Sequence, residues 1–192
     1  MKHFALAALA TSLLLLVLPR VNATSLTPDT TSTTAPLFNF AAKTDGLYLN
    51  GAKFLLKGAS YFGLEGGVLA PHGLWGGPNS TTLAAIASTL KQKNFSAVRL
   101  TLAVDAVLEN KVVDLGIVKN EEALLIKYSA GTSGPLLYLD LLDHVVDVLA
   151  QHKLLVLLNA HMLVADKGIS ELWYMSAADA TWLQDAWQIL AA

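Results

Sequence analysis

The stretch LLVLLNAH, Leu154 to His161, decides the fold class of this chain. Its first five residues are apolar without interruption, which is typical of a parallel strand that is covered on both faces. The stretch then ends on polar residues, Asn159 and His161. Functional side chains gather at the carboxyl ends of parallel strands. We therefore predict a buried strand over Leu154–Asn159 whose last residues enter a functional site.

The rest of the folded part alternates strands with helices, which indicates a parallel sheet with helical crossovers. Asn50-Gly51 readily takes positive φ angles and predicts the turn of a β-hairpin. Further strands are expected at 58–62, where the strand should be buried, and at 96–101. Helices are expected at 80–93, 135–152 and from 177 onward, with short helical turns near 104–108 and 121–127. Ser80 and the box Ser176–Asp179 are the predicted helix caps.

The N-terminal residues predict export. Phe4–Leu18 is an apolar run behind a basic start, and Ala23 offers a small residue for cleavage, so residues 1–23 are predicted to be a signal peptide. Such a short run rarely spans a bilayer, and the cleaved protein should be secreted without membrane attachment. Ser, Thr and Pro dominate the next segment, which predicts a disordered linker over 24–45 and a folded domain over 46–192.

Composition excludes several classes of function. The net charge of -2 provides no basic surface for nucleic acid. The absence of cysteine excludes a cysteine nucleophile, a cysteine metal site and disulfides. His144 and His152 stand eight positions apart on one predicted helix, too far to share a metal, so we expect no metal and no cofactor. Asn79 and Asn94 begin N-glycosylation sequons.

Charged and aromatic residues follow the predicted strands and form the candidate site. Arg99 keeps its charge when buried, so it either ties down a core carboxylate or orients a catalytic one. His161 is either a satisfied structural histidine or a substrate ligand. In the segment PHGLW, Trp75 is either a core aromatic or a platform for sugar CH faces, with His72 donating to hydroxyls.

Several motifs in sequence order resemble glycoside hydrolase family five, in its endo-β-1,4-glucanase (cellulase) branch. They are KGASYFGLEGG, HGLW, NFSAVRL, LLNAH, ELWYMS and ATWLQD. The similarity extends from Gly46 to Trp187 and implies an incomplete (β/α)8 TIM barrel, with the first three or so β/α units behind an N-terminal hairpin. The family is a retaining hydrolase that uses two glutamates.

Carried over by motif, the resemblance assigns roles to four residues. Arg99 would support the nucleophilic glutamate, and His161 would hydrogen-bond the substrate. His72 and Trp75 would contact the glucan chain, which is the implied partner. The resemblance implies catalysis without a metal or another cofactor.

The sequence also departs from the family pattern. Ser60 stands where Asn is usual, and Asn159 stands where Asp is usual. The family's acid/base follows strand four and its nucleophile ends strand seven, and neither position is found in these residues. Asn120-Glu121 reads like the family's Asn-Glu pair but precedes His161, so we expect it at a solvated helix start. The chain by itself is therefore expected to be inactive.

Two other functions stay open from the sequence. A non-catalytic secreted carbohydrate-binding protein could have kept only the binding residues of the site. An unrelated doubly wound enzyme could combine Glu65, Asp105 or Asp166 with His161. No pattern in the sequence groups those carboxylates.

Overall fold

The computed structural model describes residues 39–129, 133–169, 172, 174, 176 and 179–192. The predicted signal peptide, residues 24–38 of the predicted linker and Trp173 of the ELWYMS motif lie outside the described residues. The strands are β1 (Phe40–Lys43), β2 (Gly46–Leu49), β3 (Ala52–Lys53), β4 (Gly58–Tyr61), β5 (Ala97–Ala103) and β6 (Leu155–Met162). The helices are α1 (Leu83–Gln92), α2 (Val104–Glu109), α3 (Glu122–Ser129), α4 (Tyr138–Gln151) and α5 (Trp182–Leu190).

The first three strands form a small antiparallel sheet in the order β1-β2-β3. Asn50 and Gly51 connect β2 to β3 with φ angles of 51° and 82°, which confirms the predicted positive-φ hairpin turn. β1 corrects the predicted linker, because a disordered segment was expected through residue 45. Phe40 pairs with Leu49 and packs edge-on against the Phe54 ring at 6.0 Å, so this apolar segment is ordered.

The other three strands form a parallel sheet in the order β4-β5-β6, which confirms the predicted parallel arrangement. Side chains alternate between its two faces. The face with Val98, Leu100 and Leu102 is buried under helices. The opposite face, on which Arg99 lies, is only partly covered by the small antiparallel sheet. We call this second face the inner face.

β4 corrects one expectation of the sequence analysis. The segment 58–62 was expected to be a buried strand, but β4 alternates between exposed and half-buried residues. Within the described part of the chain, it pairs with β5 alone and therefore forms an edge of the sheet. An edge strand has a neighbour on one side only, which leaves more of its residues exposed.

The helices arise where predicted, but three begin later than expected. Thr82, not Ser80, caps α1, because its hydroxyl accepts from Ala85 N at 3.2 Å. α4 begins at Tyr138 rather than at Pro135. α5 begins at Trp182, although Asp179 of the predicted capping box does accept a hydrogen bond from the Ser176 hydroxyl. The short helices α2 and α3 confirm the predicted helical turns.

Helices α1 and α4 pack side by side over the sheet and form its main apolar layer. Leu83 and Ala87 of α1, and Leu141, Val145 and Leu149 of α4, are buried in the same cluster as the outer residues of β5. No helix in the described ranges is long and apolar enough to cross a membrane.

Candidate functional site

Four polar side chains meet on the inner face, and we call them the polar cluster: Ser60, Arg99, Asn159 and His161. Nη2 of Arg99 donates to Oδ1 of Asn159 at 2.7 Å and lies 3.4 Å from Nδ1 of His161. Nη1 of Arg99 donates to Oγ of Ser60 at 3.3 Å. One guanidinium therefore joins side chains of three neighbouring strands, although β5 continues for four residues beyond Arg99.

The strand register explains why these residues meet. Ser60 pairs with Arg99 across β4 and β5, and Asn159 pairs with Thr101 across β5 and β6. Arg99 and Thr101 are two residues apart, so they point to the same face. The two-residue period of β6 then places Asn159 and His161 on that face as well.

The described partners of Arg99 are a hydroxyl, an amide and an imidazole. Among the described residues it forms no ion pair with a carboxylate, which excludes there the alternative of an arginine tied to a core carboxylate. A guanidinium carries five N–H donors in a planar fork and keeps its positive charge. Arg99 is half-buried, so it can still donate to a further anionic or hydroxyl group on the inner face.

The two departures from the family pattern, Ser60 and Asn159, are both direct partners of Arg99. Each supplies an oxygen that accepts from the guanidinium without adding charge. In the sequence Ser60 stands out only as a difference, whereas Asn159 is also one of the strand-end residues expected to enter a site. The register of the strands shows that they belong to the site.

A long loop after β4 carries the aromatic part of the site. Phe62 and His72 are exposed and their rings stack, with centroids 4.8 Å apart and an angle of 19° between the planes. His72 in turn meets Trp75 edge-on at 5.3 Å. Trp75 is half-buried against the core, and its Nε1 donates to Ala70 O at 3.0 Å. The predicted pair His72 and Trp75 is therefore joined by Phe62, which the sequence analysis missed.

The same loop closes on itself at Gly63. Its φ of 124° lies in the region that favours glycine, and a Cβ there would lie 2.5 Å from Ala70 O and 2.7 Å from His72 N. Gly63 N also donates to Oε2 of the buried Glu65 at 2.7 Å. Glu65 thus holds the loop together.

The carboxylates considered for a doubly wound enzyme are not gathered around His161. Asp105 is buried, ion-paired with Lys111, and accepts from Ala165 N at 2.9 Å. Burial alone would lower the pKa of Lys111, but the hydrogen bond and charge of Asp105 outweigh it and leave that pKa raised. Asp166 is exposed. The described residues contain no group of three potential metal ligands.

Glu121 corrects the prediction of a solvated helix start. It does precede α3, but its side chain is only 7% exposed. Oε1 accepts from Leu83 N at 2.7 Å, at the start of α1, and Oε2 lies 2.9 Å from Nε2 of His144 on α4. The carboxylate therefore joins three helical segments on the outer side of the sheet, away from the polar cluster.

A cavity of about 520 Å³ lies between the inner face and the antiparallel sheet. Its lining is mostly apolar, with Phe40, Leu47 and Phe54 on one side and Ala97, Leu155 and Leu157 on the other. Ser60 and Arg99 also line it. The polar cluster thus stands where an apolar interior opens toward the strand ends. Asn79 and Asn94 are exposed, and their glycosylation stays a prediction.

No model of a known protein family matches the sequence, and no characterised protein matches it by sequence alone. Solved structures do match its fold. An endocellulase from Pyrococcus horikoshii, crystallised as the E201A variant with cellotetraose, superimposes with a TM-score of 0.62. That comparison has 19% identity and covers 82% of this chain and 40% of the endocellulase.

A second match is more similar in sequence. The catalytic domain of the major endoglucanase from Xanthomonas campestris pv. campestris has 31% identity and a TM-score of 0.51. It covers 70% of this chain and 35% of that domain. The chain thus spans about two fifths or less of the length of these solved structures. Its fold is that of a cellulase-like α/β domain.

Proposed function

We propose that this chain supplies the N-terminal part of the substrate cleft of a hydrolase that cleaves β-1,4-glucan. The observation that carries the proposal is the polar cluster, in which Arg99 joins Ser60, Asn159 and His161 across three adjacent parallel strands. The likeness to endocellulases supports the choice of substrate, since one of those structures holds cellotetraose. In this proposal the protein belongs to glycoside hydrolase family five.

The architecture fits the beginning of a (β/α)8 barrel. In such a barrel the strand side chains that point inward fill the interior in layers, while the site forms at the carboxyl ends. Leu155 and Leu157 would belong to those layers, and Asn159 and His161 would stand above them on the same strand. Further strands would close the cavity beside β4 and β6.

The cluster suits the chemistry of a retaining glycosidase. Such an enzyme uses two carboxyl groups about 5 Å apart, one as nucleophile and one as acid/base. Arg99 has donors to spare and a fixed charge, so it would orient the nucleophilic carboxylate and keep it ionised. His161 would exchange a hydrogen bond with a glucose hydroxyl beside that carboxylate.

The two carboxyl groups themselves would come from later strands. The buried glutamates of the described part, Glu65 and Glu121, are both committed to structural hydrogen bonds. Neither is bonded to the polar cluster. We therefore propose that these residues alone do not turn over β-glucan.

A second candidate function is binding without hydrolysis. The same observation favours it, because within the described residues the polar cluster offers donors and acceptors but no pair of carboxylates. Under this reading the protein would hold a β-glucan through His161 and the aromatic residues and release it unchanged. The two candidates agree on the ligand and differ only in turnover.

Binding and turnover can be measured separately. Saturation-transfer NMR with cellotetraose should detect binding to the purified chain, and His161→Ala should weaken it about tenfold or more. His152→Ala is the matched control, since His152 lies at the end of α4 and bonds to Val148 O. An intact chain that does not bind cellotetraose would contradict both candidates.

Turnover is followed as new reducing ends on a soluble β-glucan. The purified chain should produce none. Hydrolysis that disappears in Glu65→Gln would show that Glu65 is catalytic and would overturn the assignment of the carboxyl groups to later strands. Hydrolysis by a longer form of the protein, with none by these residues alone, would favour the hydrolase over the binding protein.

We further propose that the protein is secreted. The apolar run Phe4–Leu18 and the small residue Ala23 support this, as described above. Expression in a eukaryotic host should release a protein whose N-terminus, determined by mass spectrometry, begins at Thr24. Retention of Met1 on a protein that stays inside the cell would contradict export.

A further inference from the structure

We propose that Phe62 is the surface on which a glucose ring stacks at this site, and that His72 and Trp75 hold it in place. The inference rests on the proposed function, because it names the residue that contacts the β-glucan. It also changes the roles expected from the sequence, which gave the contact to His72 and Trp75. Four observations support it: position, exposure, packing and loop geometry.

The position of Phe62 follows from the two-residue period of β4. Tyr61 points to the outer, helix-covered side, where its hydroxyl is buried. This burial and the nearby charge of Glu121 raise the pKa of Tyr61. Ser60 points to the inner side and accepts from Arg99. Phe62 is the first residue after β4, and a continued two-residue alternation would turn it to the same side as Ser60. That placement would put it beyond the carboxyl end of β4, on the side of the polar cluster.

Phe62 is 54% exposed, although it lies in a loop that packs against the buried core. Its neighbours in the loop behave differently, since Leu64, Ala70 and Leu74 are all fully buried. The loop thus has an apolar core of its own and still leaves this ring in solvent. A single exposed aromatic needs no explanation by itself, but this one follows directly on the strand that carries Ser60 of the polar cluster.

The ring of Phe62 is supported from behind. His72 stacks on it at 4.8 Å, and the edge-to-face contact of His72 with Trp75 continues the column into the core. Trp75 is anchored by its hydrogen bond to Ala70 O, so its indole N–H is not available to a sugar hydroxyl. In this arrangement Trp75 supports the column, and Phe62 presents its exposed end.

The backbone fixes the column as well. His72 N donates to Phe62 O at 3.0 Å, and the two arms of the loop touch at Gly63, where no side chain fits. A contact residue whose position is set before the ligand arrives loses little conformational entropy on binding. Phe62 is thus preorganised.

The chemistry of the ligand follows from the shape of the surface. A β-1,4-linked glucose unit carries its substituents equatorially, so each ring face presents C–H groups that pack on an aromatic ring. The hydroxyls at the ring edge would then reach the polar cluster. An α-1,4-linked chain curves and cannot lie flat on the ring while its neighbours reach Arg99 and His161. We therefore expect a preference for cellotetraose over maltotetraose.

The test is an NMR titration of the purified chain with cellotetraose. Phe62→Ala and Phe62→Leu should each weaken binding about three- to tenfold, while Phe62→Trp should bind at least as tightly as the original chain. The sugar C–H protons should shift upfield with Phe or Trp at this position but not with Leu, because only an aromatic ring produces a ring-current shift. The leucine variant keeps the apolar bulk and thus isolates the flat ring.

Ile126→Ala is the matched control, since Ile126 is an exposed apolar residue on α3, 68% exposed. It should leave binding unchanged. If Phe62→Ala and Phe62→Leu bind like the original chain while His161→Ala loses binding, the inference about Phe62 is wrong and the proposed function stands. If the original chain does not bind cellotetraose at all, the proposed function fails and the inference fails with it.

Discussion

Nη2 of Arg99 lies 2.7 Å from Oδ1 of Asn159, so a buried neutral amide on one strand accepts from a cation on the next. Asn159→Leu should lower the free energy of unfolding by about 1.5–3 kcal/mol, because it removes an acceptor that a charged donor uses. Asn159→Asp keeps an acceptor oxygen and should be at least as stable as the original at neutral pH. Urea unfolding of both variants checks this, and a leucine variant of unchanged stability would contradict it.

Glu121 and its neighbour Glu122 make a matched pair for testing a buried carboxylate. Glu121→Ala should cost about 2–3 kcal/mol, because it leaves Leu83 N at the start of α1 without its acceptor and removes the partner of His144. Glu122 is exposed on the first turn of α3, and Glu122→Ala should change stability by less than about 0.5 kcal/mol. Thermal and urea unfolding measure both variants. If Glu121→Ala and Glu122→Ala lower the free energy of unfolding equally, Glu121 is not buried as described.

Gly63 and Gly66 test whether the loop geometry is required. Gly63→Ala should destabilise the protein by about 3 kcal/mol or more, because a Cβ would lie 2.5 Å from Ala70 O at a φ that disfavours side chains. At Gly66 the nearest atom to an added Cβ is 3.6 Å away, so Gly66→Ala should be nearly neutral. The near-ultraviolet circular dichroism spectrum, to which Trp75 contributes, should change in the first variant only. A normal spectrum for Gly63→Ala would be inconsistent with the closed loop.

The ion pair of Lys111 with Asp105 should be insensitive to pH over a wide range. Lys111→Met should cost about 3 kcal/mol, because it leaves the buried carboxylate of Asp105 uncompensated. The raised pKa of Lys111 means that the stabilisation is fully present at neutral pH and is lost only as the pH rises through that pKa, above about 10.4. Stability curves measured from pH 6 to 11 should therefore differ by a constant amount until the alkaline end.

Glu109 is the control for the same cation. Oε2 of Glu109 lies 3.6 Å from Nζ of Lys111, but the side chain of Glu109 is 63% exposed. Glu109→Gln should therefore change the free energy of unfolding by less than about 1 kcal/mol. A large effect of Glu109→Gln together with a small effect of Lys111→Met would reverse the assignment of the buried partner.

The parts of the fold that depend on local physics could be predicted from the sequence. The apolar run of β6 and the Asn50-Gly51 turn form as expected, because a buried parallel strand and a positive-φ turn each need particular residues. β1 could not be predicted, since its pairing with β2 is what orders it. The start of α5 was misplaced because a capping pattern does not fix the first helical turn.

Only part of the candidate site could be predicted from the sequence, because some of its residues are brought together by strand pairing. Arg99 and His161 stand out in the sequence as polar residues at strand ends, and the structure places them 3.4 Å apart. Ser60 and Phe62 carry no such signal, since their roles depend on the strand register and on which face the period of β4 gives them. Glu121 was misjudged because a charged residue suggests solvent until its partners on two other helices are known.

The order β4-β5-β6 has a consequence for synthesis on the ribosome. β5 pairs with β4 and β6 pairs with β5, and helical segments separate the paired strands along the chain. When β6 leaves the exit tunnel, β5 and β4 are already available as its template. The sheet can therefore grow in the direction of translation, and the cluster around Arg99 would be completed only when Asn159 and His161 arrive.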